Sequence, residues 1–189
     1  MMTTHKVDEP LMGKKFGRDE ILGILEKENI DFLRLMFTDV TGMNKNVEVP
    51  RSMFEKALDG QIMFDGSSIE GFVRIEESDM LLAPDYDTFR IFPWDDDGQG
   101  RAARLICDVH TADSEPFAGC PRGILKRQIQ AAAELGYRMM AGVEAEFFLF
   151  EMEENGTPTT TTHDMAGYFD LAPVDRAEPC RRAIVHALH

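Results

Sequence analysis

The front part of the chain alternates between helical and extended spacing of its apolar side chains. Over residues 18–28 the apolar positions share one helical face, which predicts a short amphipathic helix. Residues 32–37 and 43–49 read as two strands around an Asp-Val-Thr-Gly turn, so a hairpin is expected. Pro50 suits a helix start, and a second short helix is expected to end near Leu58.

The pattern then becomes strand-like in short pieces. Strands are expected at residues 61–64, 80–83, 88–92 and 102–109. Together with the first elements they predict a small α+β sheet domain over residues 16–110, preceded by a flexible tail at 1–15. Prolines and glycines punctuate residues 111–121, which marks the expected boundary to a second domain over 111–189.

Beyond the boundary, the apolar spacing predicts a helix over residues 122–135 that ends at Gly136. Residues 137–150 are expected to form one long strand, and 155–158 a turn. A further helix is expected from Glu178 onward, with Pro179 in its first turn.

Charge narrows the classes of partner. The chain has 34 acidic against 20 Lys and Arg residues, a formal net charge of −14. Such a surface repels phosphate backbones and anionic lipid, so neither nucleic acid nor membrane is an expected partner. The three cysteines lack metal-site spacing and are expected to be reduced thiols. With no long apolar run or signal-like start, a cytoplasmic location is expected.

Two carboxylates interrupt the apolar segment 142–150. On the expected strand, Glu144 and Glu146 would share one face, about 6–7 Å apart. That spacing suits one oxygen donor to each of two hard cations better than chelation of one. A solvated acidic strand edge is the alternative, although the aromatic residues that follow argue against full solvation.

Two loops also contain candidate groups. Asp65 precedes Gly66, and an Asp-Gly-Ser-Ser loop between hydrophobic flanks could present its carboxylate as a base or a cation contact. The same residues are ordinary turn chemistry, so both interpretations stay open. The segment 166–173, which includes Tyr168 and Phe169, is by itself no more than a packed corner.

Together these segments resemble bacterial type I glutamine synthetase, in order and at family-like spacing. The resemblance extends from about residue 16 to 188. It also takes in Phe-Thr-Asp at 37–39, Lys-Asn-Val-Glu at 45–48, Ile-Phe-Pro-Trp at 91–94 and Cys-Arg-Arg at 180–182. The stretch Phe-Val-Arg-Ile-Glu-Glu-Ser-Asp-Met at 72–80 resembles the feedback-regulated form of Gram-positive bacteria.

The resemblance implies a β-grasp-like N-terminal domain followed by the start of the catalytic α/β domain. It implies an ATP-dependent ligase that joins L-glutamate and ammonium through a γ-glutamyl phosphate, with Mg²⁺ or Mn²⁺ as cofactor. A ring-shaped homo-oligomer, a dodecamer in the family, is also implied, because each active site is built by two subunits.

The resemblance also assigns site residues. Glu144 would bind the metal beside the ATP phosphates, and Glu146 the metal beside the glutamate substrate. Asp65, with Ser68 nearby, would bind and deprotonate ammonium in a neighbouring subunit's site, which Tyr168 would border. Arg74 would correspond to an arginine linked to glutamine feedback, with a plain surface salt bridge as the alternative.

Some positions differ from the family pattern. Val143 and Ala145 stand where two prolines are usual, Ala166 replaces one of two glycines, and Ala183 replaces an aspartate. The family's remaining metal ligands and most of its ATP pocket are not among these 189 residues. The 189-residue polypeptide alone is therefore expected to be inactive and to expose apolar surface such as Phe147 and Phe150.

Two other functions remain open from the sequence. The first is a ligase of the same superfamily that joins glutamate to an amine or polyamine, against which Asp65 argues. The second is a non-catalytic module that pairs with full-length subunits through the small domain.

Overall fold

The computed structural model of the chain describes residues 15–69, 71, 79–94, 98 and 100–188. The chain forms two compact units, which divide between Met139 and Met140.

The first unit is built on a five-stranded mixed sheet. Its strands are β1 (Ile30–Thr38), β2 (Asn44–Pro50), β3 (Met63–Asp65), β4 (Asp79–Ile91) and β5 (Arg101–Thr111). Their order is β2-β1-β5-β4-β3, with β1 and β5 parallel and the other neighbours antiparallel. The predicted hairpin is therefore confirmed as β1–β2, and the predicted α+β sheet domain is confirmed as well.

Helices accompany this sheet where the pattern predicted them. Helix α1 spans Arg18–Lys27, and a 3₁₀ turn at Arg51–Met53 leads into α2 (Phe54–Leu58). Helix α3 spans Pro121–Glu134. The strand pieces predicted at 80–83 and 88–92 belong to one strand, β4. They were predicted as separate pieces because the pairing of β4 with β5 is irregular between Asp85 and Arg90, which interrupts the alternation of side chains.

The core lies between the helices and one face of the sheet. On β5 the alternate residues Leu105, Cys107 and Val109 are buried, as strand geometry requires of a sheet with one covered face. Ile21 and Leu25, one helical turn apart on α1, are fully buried in the same cluster. Burial also raises the pKa of the Cys107 thiol to about 12, which keeps it protonated and inert.

Ion pairs attach α3 to the sheet. Arg122 lies between two carboxylates, with Nη2 donating to Asp85 and Nη1 donating to Asp108 at 3.0 Å. Lys126, one turn later, donates to the second oxygen of Asp108. These side chains are only about a quarter exposed except for Lys126, so the network is shielded from solvent.

We expect this network to make the first unit sensitive to acid. Burial alone would raise the pKa of Asp108, but hydrogen bonds from Lys126 and Arg122 outweigh it and hold the pKa below its usual value. The stabilisation is present above the ordinary pKa of about 3.9 and is lost as pH falls through the folded-state pKa.

Asp108→Asn should accordingly lower the free energy of unfolding at pH 7 by about 1–3 kcal/mol. The variant should also flatten the loss of stability below pH 4.5 or so. Urea unfolding followed by circular dichroism at several pH values measures both, with Asp113→Asn in the exposed turn after β5 as the matched control. Equal stability of the two variants at pH 7 would contradict the role of the network.

The second unit contains a hairpin and a helix. Strands β6 (Phe150–Met152) and β7 (Pro158–Thr162) pair antiparallel around the predicted turn, and α4 spans Glu178–Leu188 as predicted. The side-chain oxygen of Asn155 accepts from the Thr157 amide at 2.8 Å, and Gly156 has a φ of +87°, as a tight turn requires.

The long strand predicted at 137–150 is wrong. Residues 137–149 form neither helix nor strand, and only Phe150 continues into β6. A strand needs a neighbour for its backbone N–H and C=O groups, and within the described residues only the end of this segment has one, β7. The expected exposure is confirmed, since Phe147, Phe148 and Phe150 are all exposed.

The predicted domain ranges 16–110 and 111–189 do not coincide with the compact units. Helix α3 follows the predicted boundary but contacts β1 and β5. The first compact unit therefore includes the whole of α3 and ends at Met139. The ranges therefore remain a prediction about sequence domains.

Candidate functional site

Asp65 is displayed at the edge of the sheet. It ends β3, which pairs only with β4 within the described residues, and it caps a single 3₁₀ turn at Gly66–Ser68. The side chain is exposed, while Gly66 behind it is buried. The loop thus presents an exposed carboxylate at the end of a paired strand.

The two oxygens of Asp65 have different surroundings. Oδ1 accepts from the Ser67 amide at 2.9 Å and from the Ser67 hydroxyl at 2.6 Å. Among the described residues, Oδ2 has a longer contact, from the Ser68 hydroxyl at 3.4 Å. Hydrogen bonds from Ser67 hold the pKa of Asp65 below its usual value, so the group is ionised near neutral pH. The second oxygen retains most of its capacity to accept a hydrogen bond from a cation.

Ser67 was missed by reasoning from the sequence, which pointed to Ser68. The Asp-x-Ser spacing is a signal for this Asx-turn contact, but it recurs in ordinary turns and does not stand out. In the structure, Ser67 fixes the carboxylate and Ser68 is the weaker partner.

Ser67→Ala should therefore raise the pKa of Asp65 more than Ser68→Ala does. The first change removes a 2.6 Å hydroxyl hydrogen bond to the charged form, whereas the second removes a contact of 3.4 Å. Carbon-detected NMR titration of the Asp65 carboxyl in the 189-residue chain measures both shifts. Equal shifts, or a larger one for Ser68→Ala, would refute this assignment.

Gly71 packs against the β1–β2 turn. A Cβ added to Gly71 would approach Cγ2 of Val40 to 2.6 Å, and the residue has a φ of +79°. Both facts require glycine here. Asp39 stabilises the same turn, because its nearly buried Oδ1 accepts from the amides of Thr41 and Met43 at 2.9 Å each. The candidate regulatory residue Arg74 lies outside the described residues.

Glu144 and Glu146 lie in the irregular segment before β6, and both are exposed. The common strand face expected for them is not formed. Their carboxylate oxygens are the donor type that Mg²⁺ and Mn²⁺ prefer. Within the part of the chain described, however, no group of three or more His, Cys, Asp or Glu side chains is arranged to hold a metal ion. The pair thus matches a hard cation in chemistry and supplies only part of a ligand set.

Tyr168 lies in a loop of the second unit. Its ring stacks at a tilt on Phe169, with centroids 4.3 Å apart, and both side chains are almost fully exposed. The packed corner considered for this segment is therefore not observed. Phe169 has a φ of +64°, and the amide of Gly167 donates to Asp170 at 2.8 Å, so the tip of the loop is a defined turn.

Within the part of the chain that the structure describes, none of the helices could span a membrane.

Two family models match the chain. The model "Glutamine synthetase, beta-Grasp domain" matches residues 29–112, and "Glutamine synthetase, catalytic domain" matches residues 118–189. The first range contains the five-stranded sheet and the Asp65 loop, and the second contains Glu144, Glu146 and Tyr168.

Curated relatives of the chain agree with the two family models. The chain is 61% identical over 176 residues to the glutamine synthetase of Thermus thermophilus and 57% identical over 173 residues to that of Staphylococcus aureus. These matches cover 92% and 91% of this chain but 40% and 39% of the relatives. The chain thus spans about two fifths of the length of these relatives.

Solved structures share the fold. Plasmodium falciparum glutamine synthetase aligns with a TM-score of 0.65 at 16% identity, over 93% of this chain and 40% of that one. A structure described as "Apo GmaS without ligand" aligns with a TM-score of 0.66 at 20% identity, over 89% and 39%. With both domain models matched in order and relatives of this identity, the chain belongs to the glutamine synthetase family, of which it matches the N-terminal part.

Proposed function

We propose that this chain supplies one part of an ATP-dependent glutamate–ammonia ligase, which makes glutamine through a γ-glutamyl phosphate. The observation that supports this most is the close relationship across both matched domains, which includes the Asp65 loop and the Glu144 and Glu146 pair. The relatives named glutamine synthetase favour ammonium over an amine or polyamine as the second substrate.

The reaction needs two kinds of help that these residue types provide. A glutamate carboxylate is a poor acyl donor until ATP phosphorylates it, and a bound Mg²⁺ or Mn²⁺ neutralises charge on the phosphoryl group. Glu144 and Glu146 would each contribute an oxygen donor to hold such an ion. The remaining ligands would come from the rest of the synthetase.

Ammonium must lose a proton before it can attack. In this proposal, Asp65 binds the cation through Oδ2 and accepts the proton, while Ser67 holds Oδ1. The exposure of Asp65 fits a carboxylate that reaches into a neighbouring subunit's site, beside that subunit's Tyr168. A ring-shaped homo-oligomer follows, because each site then needs two subunits.

A chimera tests the proposed reaction. Residues 1–189 of this chain would replace the matching front part of the Thermus thermophilus synthetase, and glutamine formation from glutamate, ammonium and ATP would be measured. We expect magnesium- or manganese-dependent turnover within about tenfold of the parent. A soluble, assembled chimera with no glutamine formation would refute the proposal.

By contrast, the purified 189-residue chain should be inactive. Glu144 and Glu146 are exposed and form no metal-binding group with other described side chains. Too few ligands therefore meet to hold two metal ions. Hydroxamate formation from glutamate, hydroxylamine and ATP with magnesium is the measurement. Robust turnover would show that the account of an incomplete site is wrong. The cytoplasmic location and the feedback role of Arg74 stay predictions.

A further inference from the structure

The most buried side chain of the second unit is charged. Asp175 is 9% exposed, and no apolar residue between 140 and 188 is buried within the described part of the unit. Polar contacts rather than a hydrophobic core therefore order this region. They concentrate at the base of the tyrosine loop, the loop of residues 163–176 that carries Tyr168.

Asp164 and Arg176 close the base of the tyrosine loop. Oδ2 of Asp164 accepts from the Arg176 amide at 2.8 Å, across twelve residues of sequence. In return, the Arg176 guanidinium donates to the carbonyl of His163 at 2.7 Å. The other oxygen of Asp164 accepts from the Ala166 amide at 3.2 Å and so sets the direction in which the chain enters the loop.

Asp175 joins this base to α4. Its Oδ1 accepts from the Ala177 amide at 2.9 Å and from Nη1 of Arg181 at 3.0 Å, and its Oδ2 accepts from Nη2 of the same guanidinium. The pair is bidentate, which fixes orientation as well as distance. The C-terminal end of the tyrosine loop is thereby joined to α4, and the contacts of Asp164 and His163 with Arg176 connect the N-terminal end to it.

The tip of the tyrosine loop has no comparable support. Tyr168 is 90% exposed and Phe169 86% exposed. Packing therefore does not determine the direction of the Tyr168 ring relative to the chain. Its placement depends on the closed base and on the tip turn between Gly167 and Asp170.

We propose that Asp164 is a positioning residue, which closes the tyrosine loop and so holds Tyr168 ready beside the ammonium site. This role rests on the proposed function, which places Tyr168 there. A loop whose ends are already joined loses less conformational entropy when it meets its substrate. Misplacement of a site residue by about 1 Å can cost a hundredfold in rate.

The charge of Asp164 supports this role. The Arg176 amide is the largest cause that holds the pKa of Asp164 below its usual value, so the carboxylate is ionised near neutral pH. His163 faces the same group, with Nε2 3.1 Å from Oδ2 but outside hydrogen-bonding geometry. Asp175, Arg176 and Arg181 are the other charged groups of this base.

Asp164→Asn is the informative substitution because it preserves shape. A carboxylate accepts with both oxygens, whereas an amide has one accepting oxygen and one donating nitrogen. Whichever way the amide turns, either the Ala166 or the Arg176 N–H faces another donor. One end of the tyrosine loop is then released.

Hydrogen exchange on the 189-residue chain tests the closure. In Asp164→Asn, amides of residues 166–176 should exchange about tenfold faster or more, as expected for loss of a charged hydrogen bond. The rest of the chain should be unchanged. Glu154→Gln, an exposed carboxylate-to-amide change in the β6–β7 turn, is the matched control and should leave the loop as it is. Equal exchange in both variants would overturn the closure.

Kinetics of the chimera test the positioning. Asp164→Asn should lower kcat/KM for ammonium about 10- to 100-fold, while KM for ATP and glutamate stays near the parent value. A merely structural role would instead lower thermal stability and affect all substrates alike, which would overturn the proposal, as would an unchanged kcat/KM for ammonium. If the unsubstituted chimera makes no glutamine, the proposed function fails and the exchange result alone decides the loop closure.

Discussion

Glutamate-to-glutamine substitution at residue 144 is expected to lower glutamine formation by the chimera about a hundredfold to ten-thousandfold. Metal-assisted charge stabilisation is worth several kcal/mol, and each 1.4 kcal/mol or so is a factor of ten in rate. Glu144→Gln keeps the size of the side chain but replaces a charged oxygen donor with a neutral one.

The control for this prediction is Glu154→Gln. It makes the same chemical change at an exposed glutamate nearby in the chain and should keep the parent rate. Initial rates at rising magnesium concentration would show whether excess metal partly restores Glu144→Gln, as weakened metal binding predicts. A rate equal to that of the control would exclude Glu144 as a metal ligand.

Truncation of Leu105 should have the largest effect on stability. Leu105 is fully buried on β5, between β1 and β4 in the sheet. Leu105→Ala removes buried apolar volume and leaves a cavity, at a cost of about 2–5 kcal/mol in the free energy of unfolding.

Leu135→Ala is the matched control for this change. Leu135 is the C-cap residue that follows α3 in the same compact unit and is 75% exposed, so its truncation should alter stability by no more than about 0.5 kcal/mol. Urea unfolding followed by circular dichroism compares the two variants. Similar midpoints would contradict the burial of Leu105 in a packed core.

The sequence predicted the first unit well because its elements obey local rules. The spacing of Ile21 and Leu25 specifies a helix face, and the alternation along β5 specifies a strand with one covered side. The turn at residues 39–42 separates two strands that pair with each other, so the hairpin depends on neighbours close in sequence.

Residues 137–149 show where local rules fail. Their apolar, extended pattern predicts a strand, but a strand also needs a partner that the pattern does not specify. Without one, Glu144 and Glu146 acquire no common face. The types of these side chains were predictable, whereas their arrangement depends on residues distant in sequence.

In the loops, too, some features could be predicted from the sequence and others could not. Asp65 was a candidate from its place in a glycine-containing loop, but the loop alone is also ordinary turn chemistry, and the role of Asp65 came from the family resemblance. The pairing of Asp164 with Arg176 could not be predicted, because a backbone N–H donor twelve residues away from the carboxylate leaves no periodic signal. The importance of Ser67 over Ser68 likewise depends on distances that the residue types do not give.

The most direct test of a site shared between subunits mixes two inactive chimeras, Asp65→Asn and Glu144→Gln. If Asp65 acts in a neighbour's site, random co-assembly gives both native groups to about one quarter of the sites in a ring. Glutamine formation should therefore recover to about a quarter of the parent rate after dissociation and reassembly together. Activity no greater than that of the two variants assembled separately would contradict a site built from Asp65 of one subunit and Glu144 of the next.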